Sequence, residues 1–552
     1  MKKILLFGLI AVFAAIGCSK DNGASDPLMA DFEISKNPCF SREGITLTAK
    51  VSGGKPSFTY SWKIGTIATL RGEVVDYTFE TNGTFPVVLT VTDASGQKAE
   101  KRKNLVVNPP VIPEQGEVSV NWGARLKGYN QISAPAVDDN GNIYAVTTSN
   151  ILYKFNSQGQ EQWTKSIDVS GAKGAETNGT PVVDANAVYL CSGTASGAGK
   201  FVAYNTTDGS VKWDFNNFWA EAGKAPKPTM YAIMPALGEG DNVYIGYAGD
   251  NGTLMSIKKA DGSLVGRFER DGKGIPGGAR SGVVLSKTQT IHYYGGKWGL
   301  GGGSATALDN ANGGSADYIW HIWSNAPYLA ETAIPYSSLA VLDINNVPCV
   351  AGIVTDSNGT KVYAVNCETG AVVCEHRISD TAAQDQGGVV VTAEGYIVAA
   401  LNYTFGQDNG GIVIVNPNSA SGTQVARFRT QEKVSGTPAI DKAGNIHFFT
   451  EAGYWYIVDE DCNLLVKRNL FTILQANPTL STLYAGLEAV KFWSSPVIGD
   501  DGKIYMQFTN DDAARKREWG GLLCLSYAGC QGPGQTQWPM IGHDRRHTNR
   551  QN

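Results

Sequence analysis

Hydrophobic residues recur along this chain with a period of two rather than 3.6. Phe85, Val87, Leu89 and Val91 share one parity while Val88, Thr90 and Thr92 take the other, as in a strand buried on one face. Short alternating segments of this kind fill residues 29–107, a length that suits a β-sandwich. Farther on, the alternation acquires a longer repeat. Pro135 precedes Tyr144, Pro235 precedes Tyr244, Pro438 precedes His447 and Pro496 precedes Tyr505, each by nine residues. Turn formers such as Asp139-Asn140-Gly141-Asn142 or Asp500-Asp501-Gly502-Lys503 lie between, so the spacing predicts a repeated hairpin. Val283 to His292, Ala340 to Cys349 and Val389 to Val398 keep the interval, and Pro181 to Tyr189 is one shorter, giving eight repeats. Gly159 and Gly209 precede Trp163 and Trp213 by four residues and mark a second hairpin in the early repeats. Starts near 133, 179, 233, 281, 337, 387, 436 and 494 are 46 to 58 residues apart. Four strands per unit of that length predict an all-β chain whose residues 118–552 form an eight-bladed β-propeller.

The ends of these blocks have their own patterns. Lys2 and Lys3 precede an apolar run from Ile4 to Ile16, which at 13 residues is too short to span about 30 Å of hydrocarbon and reads as a secretion signal over residues 1–17. Residues 18–28 are polar and tether-like, and the prolines at 109, 110 and 113 stiffen a linker over 108–117. A propeller must also hide the edges of its first and last blades. Two segments compete for that place: Val118 to Leu126, arriving before the first blade, and Gly534 to Trp538, which copies the Gly159-to-Trp163 spacing. We favour the N-terminal strand.

Composition narrows function more than fold. Charged residues are 18% and aromatics 10% of 552 residues, and 65 glycines make about 12% against a usual ~7%. A formal net charge of -5 supplies no basic field for phosphate backbones and argues against nucleic acid as a partner. Apart from Cys18, eight cysteines lie between Cys39 and Cys530 with no Cys-x-x-Cys pair, too sparse for a disulfide scaffold and lacking zinc spacing. Only Cys367 and Cys374, flanking Glu368-Thr369-Gly370, allow a cross-strand bridge by local argument. His543 and His547 are the only close histidines, and without a third ligand they read as packing residues of the tail. No metal site and no cofactor are expected. Gly299 to Gly303 reads as a glycine-rich loop without the lysine or helix that anion binding needs.

Several segments resemble known families. Small residues at 15–17 directly before Cys18 resemble the lipobox of bacterial lipoproteins, with Ala15 in place of the commoner leucine. The resemblance implies that Cys18 is diacylated and becomes the mature N-terminus. Ser19-Lys20-Asp21-Asn22 partly resembles the short acidic signal that sends Bacteroidota lipoproteins to the cell surface. Asn82 to Asp93 resembles the signature strand of PKD domains, and Tyr60-Ser61-Trp62-Lys63-Ile64-Gly65 stands where that family has Trp-Asp-Phe-Gly. Lys63 replaces the aspartate, so no role tied to that carboxylate carries over. What this resemblance implies is an immunoglobulin-like β-sandwich serving as a spacer or adhesive module. Ser133 to Asp138 with the strand residues that follow is similar to the PQQ-like repeat family. So is the tail Gln537-Trp538-Pro539-Met540-Ile541-Gly542-His543-Asp544-Arg545-Arg546-His547-Thr548, a motif common in its eight-bladed, non-enzymatic members. PQQ-dependent dehydrogenases share this propeller but carry adjacent cysteines at the cofactor and acidic residues for calcium, and no Cys-Cys occurs here.

Together these resemblances imply a lipid-anchored outer-membrane protein, at the cell surface or facing the periplasm, that works by binding rather than catalysis. The candidate ligand-binding residues come from the extra length of repeats 2 to 4, where rings are concentrated. Trp219, Tyr231, Tyr293, Tyr294, Trp298 and Tyr328 are expected on converging loops, where aromatic faces stack on sugars or grip peptide side chains. The competing reading places such rings between blades as core. A glycan or peptide ligand and a Sus-type TonB-dependent transporter complex are the expected partners, with nutrient uptake as the role. Two alternatives stay open: a protein-binding assembly scaffold of the outer membrane, and a propeller lyase or hydrolase whose charged groups come from separate blades. The insertion Leu470 to Trp493 is expected to carry a short helix over Leu480 to Ala489 for partner docking.

Overall fold

A computed structural model describes residues 26–551 except 42, 80–81, 109–113, 131–132, 168–178, 193–198, 217, 219–233, 247–253, 269–281, 296–298, 317–319, 322–337, 357–358, 380–386, 403–409, 513 and 515–516. The chain divides into two units, Met1–Val111 and Ile112–Asn552. Cys18 and the secretion signal lie outside the described residues.

The first unit is a β-sandwich. One sheet holds Met29–Ile34, Gly44–Ser52 and Val74–Thr78; the other holds Cys39–Phe40, Lys98–Asn108, Gly83–Thr92, Thr59–Ile64 and Ala68–Arg71. Val87, Leu89 and Val91 are fully buried, as the alternation predicts. Trp62 sits beside them with its ring edge-on to Phe32 at 5.2 Å, and its indole N–H donates to Gly72 O at 2.8 Å. Burying an indole without that partner would leave an unpaired donor in the core.

The second unit contains eight sheets among the described residues, six of four strands and two of five. In blade 1, Ala136–Val137, Ile143–Thr147, Ile151–Phe155 and Glu161–Ser166 pair antiparallel in sequence order. Pro135, Pro235, Pro438 and Pro496 each directly precede the two-residue inner strand of their blade. The nine-residue interval has a local cause. Asp138 accepts the main-chain N–H groups of Asn140 and Asn142, closing the turn, and its other oxygen accepts the Tyr144 hydroxyl at 2.9 Å. Asp184 and Tyr189 repeat the arrangement at 2.8 Å, and Asp441 with His447 Nε2 repeats it at 3.0 Å. A buried ring hydroxyl thus finds its partner in the turn that sets its register.

The Gly-to-Trp spacing is explained by contacts between blades. A Cβ on Gly159 would lie 2.5 Å from the Trp122 ring, one on Gly209 2.8 Å from Trp163, and one on Gly262 2.8 Å from Trp213. Each indole N–H donates to a carbonyl of that same turn, on Ser157, Thr206 and Lys259 respectively. Trp122 is therefore the outer-strand tryptophan of blade 8, although it precedes blade 1 in the chain. Its strand, Val118–Lys127, pairs along its length with Trp519–Tyr527 and closes the ring. The competing segment, Gly534 to Trp538, does not enter an outer hairpin; Trp538 is buried in the tail.

Three local expectations are corrected. Gly299–Ser304 is a strand of blade 4, not a loop, with Ser304 capping the helix Ala305–Asp309; its glycines hide the alternation that would have marked it. Cys367 and Cys374 form no disulfide, because the register pairs Cys374 with Ala364 and leaves Cys367 in the turn. The insertion after blade 7 forms Leu470–Ala476 and Pro478–Leu483 rather than a helix over 480–489. Tyr484 ends it fully buried, its hydroxyl donating to Leu522 O at 3.1 Å, in space kept open by Gly123 and Gly521. The insertion clamps the closing strand through Leu470, Leu474, Leu480 and Tyr484, which are buried.

Candidate functional site

The innermost strand of a propeller blade is an edge strand, and its amides facing the axis need partners. Here the C-terminal segment supplies them. The carbonyls of Arg545, Arg546, Thr548 and Asn549 accept from Val137, Val183, Leu237 and Leu285, the inner-strand amides of blades 1 to 4 in order. Trp538 O accepts from Val391 in blade 6 and Pro539 O from Ile440 in blade 7, so that all six bonds fall between 2.7 and 2.9 Å. Gln537 Oε1 accepts from Asp343 N of blade 5 at 2.5 Å. Trp538, Met540 and His547 are buried, and His547 Nδ1 meets Pro181 O at 2.9 Å. Burial lowers the His547 pKa to about 4, so it is neutral in the folded protein.

Charge is concentrated at the seam between the last and first blades. Arg545 Nη2 lies 2.9 Å from Asp139 in the blade 1 turn and 2.6 Å from Asp500 in the blade 8 turn, and Nη1 donates to Val137 O at 3.0 Å. Arg546 adds a contact to Asp139 at 3.2 Å. Asp544 is held below the usual carboxylate range: burial alone would raise it, but His543 and the Thr548 donors outweigh burial. The tail and the hairpin turns together line a bowl of about 580 Å³, with Asp139, Lys287, Asp343, Asp500, His543 and Arg545 on its wall. Lys287 pairs with Asp343, so each carboxylate named here faces a cation. Such a bowl offers paired charges and side-chain amides for hydrogen bonding.

Asp441, His447 and Cys530 are buried with one ligand atom each within 4.8 Å of the others, the one such group among the described residues. Their placement is that of the Asp138–Tyr144 pair in blade 1, and burial pushes the Cys530 thiol up to about 11, away from the thiolate a metal requires. We read the trio as turn closure. Glu394 and Glu460 meet across blades 6 and 7; burial, then the Glu394 charge and hydrogen bond, raises Glu460 to about 7.

Two of the six aromatic candidates fall among the described residues. Tyr293 and Tyr294 lie in the strand Thr290–Gly295 of blade 4, opposite Gly301 and Leu300, rather than in a loop. Trp219, Tyr231, Trp298 and Tyr328 lie outside the described residues. The tail bowl is the site that motif reading missed. Its one sequence signal is the pairing of Arg545-Arg546 with acidic residues at equivalent turn positions, Asp139 and Asp500.

Residues 35–107 match the family model described as PKD domain, and residues 114–275 match the one described as outer membrane protein assembly factor BamB. The chain carries a PKD domain and a PQQ-like propeller. No curated protein sequence matches it. Among solved structures, quinohemoprotein alcohol dehydrogenase from Comamonas testosteroni is 12% identical with TM-score 0.54, covering 74% of this chain and 76% of that one. A europium-containing methanol dehydrogenase is 12% identical with TM-score 0.53, covering 74% and 93%. BamB from Moraxella catarrhalis is 11% identical with TM-score 0.47, covering 74% and 100%. At such identities the dehydrogenases share the propeller fold and nothing further is carried over.

The PQQ-like propeller raises the question of a quinone centre, and the described residues do not assemble one. At the tail end of the inner strands, Trp538, Met540 and His547 are buried. At the other end of the inner strands, Ser338 and Thr437 hydroxyls meet at 3.0 Å, and a Cβ on Gly388 would lie 2.0 Å from the Ser338 oxygen. No step is therefore routed through a quinone. Among the described residues, no helix is long and apolar enough to cross a membrane.

Proposed function

We propose that the protein is an outer-membrane lipoprotein, anchored through Cys18, whose propeller binds a protein partner and performs no chemistry on it. The observation that carries this reading is the match of residues 114–275 to the family model of an outer-membrane assembly factor, over the blades themselves. The tail bowl supports it, because its acidic groups are neutralised by arginine and lysine rather than poised as acid or base. Exposed apolar residues on outer strands, Val211 at 58% and Val425 at 47%, offer contact points on the blade rims.

A second reading is favoured by the ring-rich stretches at 218–233 and 293–328: capture of a glycan or peptide at the cell surface, beside a TonB-dependent transporter. The test places a photo-crosslinking residue at Val211, Val425 and Trp219 in turn, in the native cell. Adducts from Val211 or Val425 with a barrel-assembly component support the scaffold. Adducts from Trp219 with a transporter, together with glycan or peptide binding that Trp219→Ala and Trp298→Ala weaken about tenfold, support the second reading. Turnover of an alcohol by the purified protein supplied with quinone and calcium would overturn both.

A further inference from the structure

We propose that the exposed face of the five-stranded PKD sheet docks on an anionic lipid surface. The register puts its cations in rows. Arg102 stands opposite Val88, Val88 opposite Lys63, and Lys63 opposite Thr69, so four strands contribute to one line across the sheet. The next line runs Glu100, Thr90, Ser61 and Arg71, and Lys98 follows opposite Thr92. Burial alternates with this parity: Trp62, Ile64, Val87, Leu89, Val91, Leu105 and Val107 point into the sandwich. Lys63, Arg71, Lys98 and Arg102 are exposed on the opposite face, where Glu100 is the one carboxylate among the described residues.

The two faces of this domain differ in how charge is handled. Asp31 pairs with Lys101 and Lys103, Lys50 with Glu33, and Lys36 with Glu43. Lys63, Arg71, Lys98 and Arg102 appear in none of the ion pairs among the described residues. Four cations against one carboxylate, on a protein whose net charge is -5, form a local field that a negative surface can neutralise. Strands about 4.8 Å apart set Lys63 and Arg102 roughly 10 Å from one another, so the charges meet separate headgroups rather than one small anion. Exposed Phe40 at 39% and Val106 at 40% border the same sheet and can enter the headgroup layer beside them.

Chain length favours a membrane over a soluble polyanion. Only residues 19–28 separate the sandwich, which the chain enters at Met29 in its three-stranded sheet, from the residue read as lipidated, a reach of at most ~40 Å when extended. A domain held that close to a bilayer meets its headgroups at high effective concentration. Lys63, which stands where the PKD motif has aspartate, is central to the face. The aspartate would remove one of the four charges and add an opposing one.

The test is cosedimentation of the chain from Ser19 onward, which has no lipid, with vesicles of phosphatidylcholine alone or with 40% phosphatidylglycerol (about that fraction suffices for a strongly negative surface). Binding to the anionic vesicles at least tenfold tighter, lost at high salt, is expected. Lys63→Glu with Arg102→Glu should abolish the preference and Lys63→Gln with Arg102→Gln should reduce it, while Lys258→Glu with Lys442→Glu on the propeller should leave it. Equal binding to both vesicles, an unchanged preference in the PKD variants, or equal loss in the propeller variant overturns the proposal. So does binding to an acidic polysaccharide such as polygalacturonate without binding to vesicles. None of these outcomes bears on what the propeller binds, so this proposal and the scaffold reading fail separately.

Discussion

Replacing Trp538 by alanine tests whether the tail is a structural hub or a dispensable end. Its side chain is fully buried, its ring lies 5.1 Å from His543, and its carbonyl accepts from Val391. Truncating a buried tryptophan costs about 3–5 kcal/mol. If the propeller unit of Ile112–Asn552 melts as one body, an unfolding entropy of about 2.1 cal/mol/K per residue sums to roughly 0.9 kcal/mol/K, so Tm falls by about 3–5 °C. If the tail instead detaches alone, the same energy appears locally. The amides of Val137, Val183, Leu237, Leu285, Val391 and Ile440, which the tail carbonyls cap, then lose hydrogen-exchange protection by about 10²- to 10⁴-fold while the outer strands keep theirs. Calorimetry and residue-resolved exchange on the same variant separate the two outcomes. A Tm within 1 °C of the parent (about a quarter of the expected shift) together with unchanged exchange at all six amides would refute the hub.

Gly159→Val should destabilise the seam between blades 8 and 1 by about 3 kcal/mol, because φ is +79° and the added carbon meets the Trp122 ring; Gly395→Ala, at φ +81° in open space, should cost about 1 kcal/mol, and equal Tm losses would contradict the docking argument. Burial lowers His292 to about 3 and His547 to about 4, so both fold neutral while the unfolded chain takes up protons near pH 6.5. Stability is then full above pH 6.5 and falls as pH drops toward 4, with a slope of about 1.4 kcal/mol per pH unit for each histidine; denaturant titrations of His547→Asn should show the slope reduced by one histidine's share. Cys18→Ser should move the protein from the membrane to the soluble fraction, and continued lipid labelling of that variant would remove the anchor from the proposed function.

The blade count is legible because one physical unit recurs in side chains: a turn aspartate that caps two amides and accepts a ring hydroxyl, as Asp138 does for Tyr144. Where a different residue supplies the partner, the signal fades. Tyr244 takes its oxygen from Asp309, which follows blade 4 strands in the chain, and no local spacing announces that bond. Ring closure is legible for the same reason as the blade count. Trp122 carries the mark of an outer strand and finds its glycine turn at Ser157–Gly159, whereas Trp538 shares only the spacing.

The tail bowl is poorly legible because its bonds come from main-chain carbonyls, which leave no residue preference behind. Any residue at 545, 546, 548 or 549 could offer an oxygen to the inner strands. What the sequence does carry is the charge that selects this path: Arg545 is useful only if Asp139 and Asp500 stand side by side, and they do so only once blades 1 and 8 have met. The arginine fork therefore reports on ring closure itself. A chain whose last blade failed to reach its first would leave two exposed aspartates and a half-buried arginine without partners, the more costly state for a charge.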